Sequence, residues 1–195
     1  RAPGMVERSA CQRLRALASR VPADQAIVEL GAFKGRSTGW LLLGAQDGHG
    51  AHVTSVDPWG ARRDDYVGRF QVFTGAYPVF AAWMSRIGAG PDRLTVRRGY
   101  ASDVGRSWPG PAVGLLWHDA GHGVEDLAED LAAWAPHVAP GGVVVCHDAC
   151  QPAYGVVEGA RTVLDTPGWD WAGRTIHPWA KHPRRRGVLV VRRSQ

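Results

Sequence analysis

Seven polar residues could carry chemistry in this chain: Glu29, Asp57, Ser102, Asp119, His122, His147 and Asp148. Each falls at or just beyond the end of an apolar run, where glycine, proline or a helix start takes over. Carboxylates in such places can hold hydroxyl groups or a hard divalent cation, and imidazoles can move a proton near neutral pH. Each residue also has a plainer reading. Asp57 stands before Pro58 and can cap a turn. His122 can cap the helix that follows it, and His147 can be a neutral, hydrogen-bonded residue behind the site.

Short apolar runs must position these groups. Ala26-Ile27-Val28-Glu29-Leu30 reads as a strand, Gly31 to Gly35 as a turn, and Gly39-Trp40-Leu41-Leu42-Leu43 as a helix ending near Gly44. Strand, glycine turn and helix start together present backbone N–H groups to an anion. Glu29, at the strand end, is suited to hold a cation or a hydroxyl. The spacing Glu29-x-Gly31-x-x-x-Gly35 is not the G-x-G-x-x-G dinucleotide fingerprint. A second strand, residues 51–57, ends in Asp57, about 20–30 residues past the turn, the interval at which nucleotide-binding α/β folds place a carboxylate for ribose hydroxyls. Trp59 follows, either near a ligand or covering the sheet. Strands over 94–98, 113–117 and 143–146 lead into Gly99-Tyr100-Ala101-Ser102-Asp103, His118-Asp119-Ala120-Gly121-His122 and His147-Asp148.

Helical patterns lie between them. Residues 5–20 alternate apolar positions with arginines, 70–87 are largely helical with interruptions at Gly75 and Pro78, and 124–138 put Leu127, Leu131 and Val138 on one face. Residues 154–164 form a further candidate helix. Strands over 169–176 and 187–192 flank Lys181-His182-Pro183-Arg184-Arg185-Arg186 and can pair as an antiparallel hairpin. The alternation predicts an α/β fold: a doubly wound, seven-stranded, mostly parallel sheet with a C-terminal antiparallel hairpin. No repeat or linker divides residues 1–195 into a second domain.

A length of 195 residues allows a sizeable core, and no apolar run approaches a membrane span. Three cysteines without zinc-type spacing read as reduced thiols, so a cytoplasmic location is the expectation. The net charge is +5, but Lys181–Arg186 is its only concentrated run and has no interleaved aromatics, a poor footprint for nucleic acid.

Five stretches carry a family resemblance: Val28-Glu29-Leu30-Gly31-Ala32-Phe33-Lys34-Gly35-Arg36-Ser37, Val56-Asp57-Pro58-Trp59, His118-Asp119-Ala120-Gly121-His122, Ala139-Pro140-Gly141-Gly142-Val143-Val144-Val145 and His147-Asp148. Over residues 21–148 the chain resembles class I S-adenosylmethionine (SAM)-dependent methyltransferases. It is most similar in pattern to the small metal-linked O-methyltransferases of the macrocin O-methyltransferase and cephalosporin-hydroxylase-like group. The resemblance implies that Glu29, Gly31, Gly35 and Ser37, with Ala32 and Phe33 in the same turn, hold the methionine part of SAM. Asp57 would take the ribose beside Trp59, and Gly99, Tyr100, Ala101 and Ser102 would border the adenine. Asp119 would face both cofactor and reaction, with His122 as general base. Asp119, Asp148 and His147 would be the candidate ligands of Mg²⁺ or another divalent cation. The chain departs from the pattern at Gly121 and His147, where metal-dependent members often carry a further acid. His147 suits a softer ion than Mg²⁺.

The implied reaction is O-methylation of a hydroxyl on a small molecule of sugar or natural-product type, with a homo-oligomer left open. Two other classes remain: a nicotinamide-dependent oxidoreductase, and a non-catalytic module that binds SAM or nucleic acid.

Overall fold

The computed structural model describes residues 2–60, 75–151, 153–178 and 187–195. Among them, one sheet runs in the order β3-β2-β1-β4-β5-β7-β6. Its strands are β1 (Ala26–Leu30), β2 (His52–Asp57), β3 (Leu94–Arg98), β4 (Val113–His118), β5 (Val138–His147), β6 (Trp169–Pro178) and β7 (Gly187–Arg193). The first five pair in parallel; β7 lies antiparallel between β5 and β6. The strand order reverses at β1, so the loops after β1 and β4 part there and leave a crevice at the carboxyl ends of the strands.

Two apolar layers cover the sheet. Ile27, Val53, Leu115, Trp117 and Val145 face α1 (Arg8–Ala18), α2 (Arg36–Asp47) and α3 (Ala76–Arg86). Val28, Leu30, Val56, Leu116 and Val144 face α4 (Ala101–Arg106), α5 (Val124–Trp134) and α6 (Val156–Leu164). Burial on both faces explains why the central strands read as unbroken apolar runs rather than as alternation.

Several boundaries differ from the sequence expectation. The helix after the glycine turn starts at Arg36, three residues before the apolar run, because Gly35 takes a left-handed conformation (φ 84°) that ends the turn there. The first helix begins at Arg8, and Gly4, Met5 and Val6 before it line the crevice instead. The stretch after β3, for which no helix was expected, closes into the short helix α4 at Ala101. β5 starts at Val138, and its register against β4 shifts across Pro140-Gly141-Gly142. The expected helix over 70–87 is observed as Ala76–Arg86; its first residues and the Lys181–Arg186 run lie outside the described residues. No helix among the described residues is long and apolar enough to cross a membrane.

Candidate active site

Three turns at the carboxyl end of the sheet are tied to one another by hydrogen bonds. Gly31 N–H donates to Val56 O at 2.9 Å, and Asp119 N–H donates to Leu30 O at 2.8 Å. Asp57 binds the two flanking turns through one carboxylate. Its Oδ2 accepts Phe33 N–H at 2.8 Å and its Oδ1 accepts Trp59 N–H at 2.7 Å. The Trp59 indole N–H then donates to Phe33 O at 2.8 Å, and its ring packs on Phe80 with centroids 4.9 Å apart. Burial raises the Asp57 carboxyl, and the backbone donors only partly offset it. Phe33, Trp59 and Asp148 are non-glycine residues at positive φ (48°, 41° and 56°), and all three line the crevice. Strained backbone of this kind persists where surrounding contacts over-determine it, which is common at ligand sites.

The crevice is a cavity of about 730 Å³. Gly31, Ala32, Phe33 and Ser37 form one wall, Asp57 and Trp59 the next, and Tyr100, Ala101 and Ser102 the far end. Asp119, His122, His147 and Asp148 form the opposite end, beside Met5, Val6 and Tyr154. A β-carbon on Gly31 would stand 2.3 Å from Asp119 O, so only glycine lets the turns after β1 and β4 close on each other. α2 has no side-chain cap at its N-terminus, which leaves the first-turn N–H groups for an anionic ligand group.

Three expected cofactor residues are not in the cavity wall: Glu29, Gly35 and Gly99. Glu29 is fully buried beneath the turn, where its Oε2 accepts hydroxyls from Thr38 at 2.5 Å and Ser55 at 2.6 Å. Burial pushes its carboxyl up to about 7, against the pull of the Ser37, Ser55 and Thr38 hydroxyls. Glu29 Oε2 thus ties β1 to β2 and α2, while its Oε1 is buried without a hydrogen-bond partner. The missing side chain at Gly35 makes room for Met84 and Phe80 of α3, since a β-carbon there would stand 2.7 Å from Met84 Cε.

At the other end, donor atoms of Asp119, His122, His147 and Asp148 lie within 4.8 Å of one another. His122 Nε2 is 3.4 Å from Asp119 Oδ1 and 3.5 Å from Asp148 Oδ2, too long for good hydrogen bonds, and its ring lies 4.7 Å from that of Tyr154. Its Nε2 is buried without a hydrogen-bond partner. His147 differs. Its Nδ1 is 2.9 Å from Asp119 Oδ1 and its Nε2 is 2.9 Å from Glu7 Oε2. Burial alone would lower the His147 pKa, but Asp119, Glu7 and Asp148 outweigh it and carry it to about 10. Asp119 is the converse. Burial alone would raise it, but the His147 charge and the His122 contact hold its carboxyl well below the usual range.

The spacing of this cluster would suit one cation, but its donors do not. A metal-ligating imidazole needs a ring nitrogen with a free lone pair, and both nitrogens of His147 face carboxylates, which accept and do not donate. His147, expected as a metal ligand, has each of its two nitrogens 2.9 Å from a carboxylate oxygen.

Sequence reasoning missed other residues. Glu7 reaches His147 across 140 positions, and no sequence pattern marks such a contact. His118, at the end of β4, bonds through Nε2 to Asp130 Oδ2 at 3.0 Å. The helical pattern places the acids of α5 away from its apolar face, yet Asp126, Glu129 and Asp130 border the cavity. The signal was the position of α5 directly after the Asp119 turn, which puts its first turns against the site.

The sequence matches the family described as "Methyltransferase domain" over residues 28–149. No protein with a curated description matches it. Among solved structures it is similar to cofactor-bound Rv0187 from MTB (20% identity, 98% of this chain and 82% of that one, TM-score 0.74). It is similar to the O-methyltransferase from Bacillus cereus in complex with SAH (16% identity, 99% and 84%, TM-score 0.73). It is also similar to the O-methyltransferase TomG from Streptomyces achromogenes, involved in tomaymycin synthesis, in complex with SAM (18% identity, 98% and 82%, TM-score 0.72). At these identities the likeness shows a common fold.

Proposed function

Since the chain belongs to the methyltransferase-domain family, we propose that it is a SAM-dependent O-methyltransferase acting on a hydroxyl of a small molecule. The observation that carries this reading is one continuous cavity with two kinds of wall. The end formed by Asp57, Tyr100, Ala101 and Ser102 suits a nucleoside, and the end formed by Asp119, His122 and Asp148 suits proton removal. Two neighbours of the same fold, the Bacillus and Streptomyces O-methyltransferases, hold SAH and SAM.

In this reading Asp57 accepts ribose hydroxyls while keeping the two turns in place, and Ser37 with the first turn of α2 takes the methionine carboxylate. Glu29 acts one layer down, by holding β1 under the turn. When bound, SAM supplies a methyl group on a positively charged sulfur. His122 Nε2 would take the proton of the acceptor hydroxyl, whose oxygen would receive the methyl group while the electron pair of the broken C–S bond stays with sulfur. Tyr154 keeps the His122 ring oriented from its other face. Placing acceptor and methyl in line does most of the catalytic work. The free thiols of Cys11, Cys146 and Cys150 fit a cytoplasmic setting.

The test is release of SAH from SAM in the presence of a panel of phenols, catechols and sugar alcohols. Acceptor-dependent SAH formation, falling about 10²–10⁴-fold in His122→Ala while SAH still binds, is the expected result. Binding of a nicotinamide nucleotide in place of SAH would contradict it.

A further inference from the structure

We infer that the Glu7–His147 pair takes the place of a divalent cation at the acceptor end of the cavity, so that the aspartates there work without a metal. The inference deepens the methyltransferase reading and rests on it for the role of that end of the site.

His147 closes β5 and is 2% exposed. The Trp117 ring packs 5.3 Å from its own, which leaves water little access from that side. Asp119 holds one ring nitrogen and Glu7 the other, each at 2.9 Å, and Asp148 Oδ1 lies 3.5 Å from Nδ1. An imidazole with an acceptor-only carboxylate at each end carries a proton on both nitrogens and is a cation. Glu7 is not an incidental neighbour. Its segment is pinned over the site by Arg36, which donates to Val6 O at 3.0 Å and to Ala2 O at 2.9 Å. Val6 of the same segment is buried.

A fixed positive charge between Asp119 and Asp148 has two consequences. It removes the need for a metal to hold two acids close together. It also repels a doubly charged ion at the position that those acids would otherwise offer, because like charges a few ångströms apart interact strongly in a site shielded from water. Proton removal is left to His122, whose Nε2 stands between the same two carboxylates with no hydrogen bond of its own.

The experiment titrates Mn²⁺ alone into the protein saturated with SAH and follows the spin-resonance signal of the free ion. The wild type should bind no stoichiometric Mn²⁺ up to about 1 mM, and His147→Asp should bind it at least about tenfold more tightly. Stoichiometric binding by the wild type below that concentration overturns the inference, as does a folded His147→Asp with no gain. A second measurement needs no variant: ring ¹⁵N–¹H correlation spectra at neutral pH should show a proton on both nitrogens of His147, and a single proton overturns the inference. The SAH saturation step separates the two claims. If SAH fails to bind, the methyltransferase reading fails, while the Mn²⁺ titration of the SAH-free protein still decides the question of the cation.

Discussion

Glu29 joins chemistry and stability in one side chain. Its carboxyl has a pKa of about 7 in the fold, chiefly through burial, against about 4.5 for an unburied glutamate. At low pH it is neutral in both states. Between about pH 4.5 and 7 the unfolded chain loses that proton while the folded chain keeps it, so stability falls as pH rises through this window, by roughly 3 kcal/mol if the whole shift is expressed. Glu29→Gln keeps acceptors for Thr38 and Ser55, and should flatten this loss in urea unfolding followed from pH 4.5 to 7.5. Asp57 has a different load. Two backbone N–H groups, of Phe33 and Trp59, depend on its carboxylate. Asp57→Ala should cost about 3 kcal/mol of stability, since hydrogen bonds to charged groups contribute ~1.5–3 kcal/mol each, and should weaken SAH by more than about tenfold. Calorimetric titration beside a thermal melt separates the two effects. Both acids were legible as strand-end carboxylates. What the sequence concealed was their direction: Glu29 points into the layer under the turn, because Thr38 and Ser55 offer hydroxyls there.

The turns after β1 and β4 meet backbone to backbone at Gly31, whose φ is 90°. A β-carbon there would press on Asp119 O, Asp119 C and Ala120 N at 2.3, 2.6 and 2.9 Å. Gly31→Ala should therefore destabilise the fold by more than about 3 kcal/mol, strain and displaced backbone together, and should shift Asp119 out of the cluster. Gly50 is the control. It has φ 75° but nothing within 4 Å of its missing β-carbon, so Gly50→Ala should cost only about 1–2 kcal/mol in the same urea titration. The parallel strands were legible because each is a short apolar run that ends in a polar group. α4 was not, because a six-residue helix beginning directly after Gly99-Tyr100 has too few positions to show a helical period. The start of β5 was hidden by Pro140-Gly141-Gly142, which breaks the sequence pattern while the strand continues through it with a register shift.

Over the whole molecule, both ends of the site are assembled from distant parts of the chain, and the segment before α1 is the clearest case. Arg36 holds it by two carbonyls, and Glu7 fastens it to His147. Arg36→Ala should leave the sheet intact, with an unchanged far-ultraviolet dichroism spectrum, and should make residues 2–7 several-fold faster to cleave in limited proteolysis. Neither contact was legible, since nothing in local composition pairs residues 30 or 140 positions apart. The fold class was legible, because the seven strands and every helix between them except α4 left a local signal. The basic run Lys181–Arg186 belongs to no cofactor motif, and replacing Arg184, Arg185 and Arg186 with serine should leave SAH affinity within about threefold by calorimetry. In the methyltransferase reading the cavity at the carboxyl ends of β1, β2 and β4 is a SAM site. Calorimetric titration of SAH into the wild type and into Asp57→Ala, with NADH titrated in parallel, tests it most directly. One SAH per chain in the wild type, clearly weakened in Asp57→Ala, and no NADH is the predicted result; a wild type that binds NADH and not SAH would contradict it.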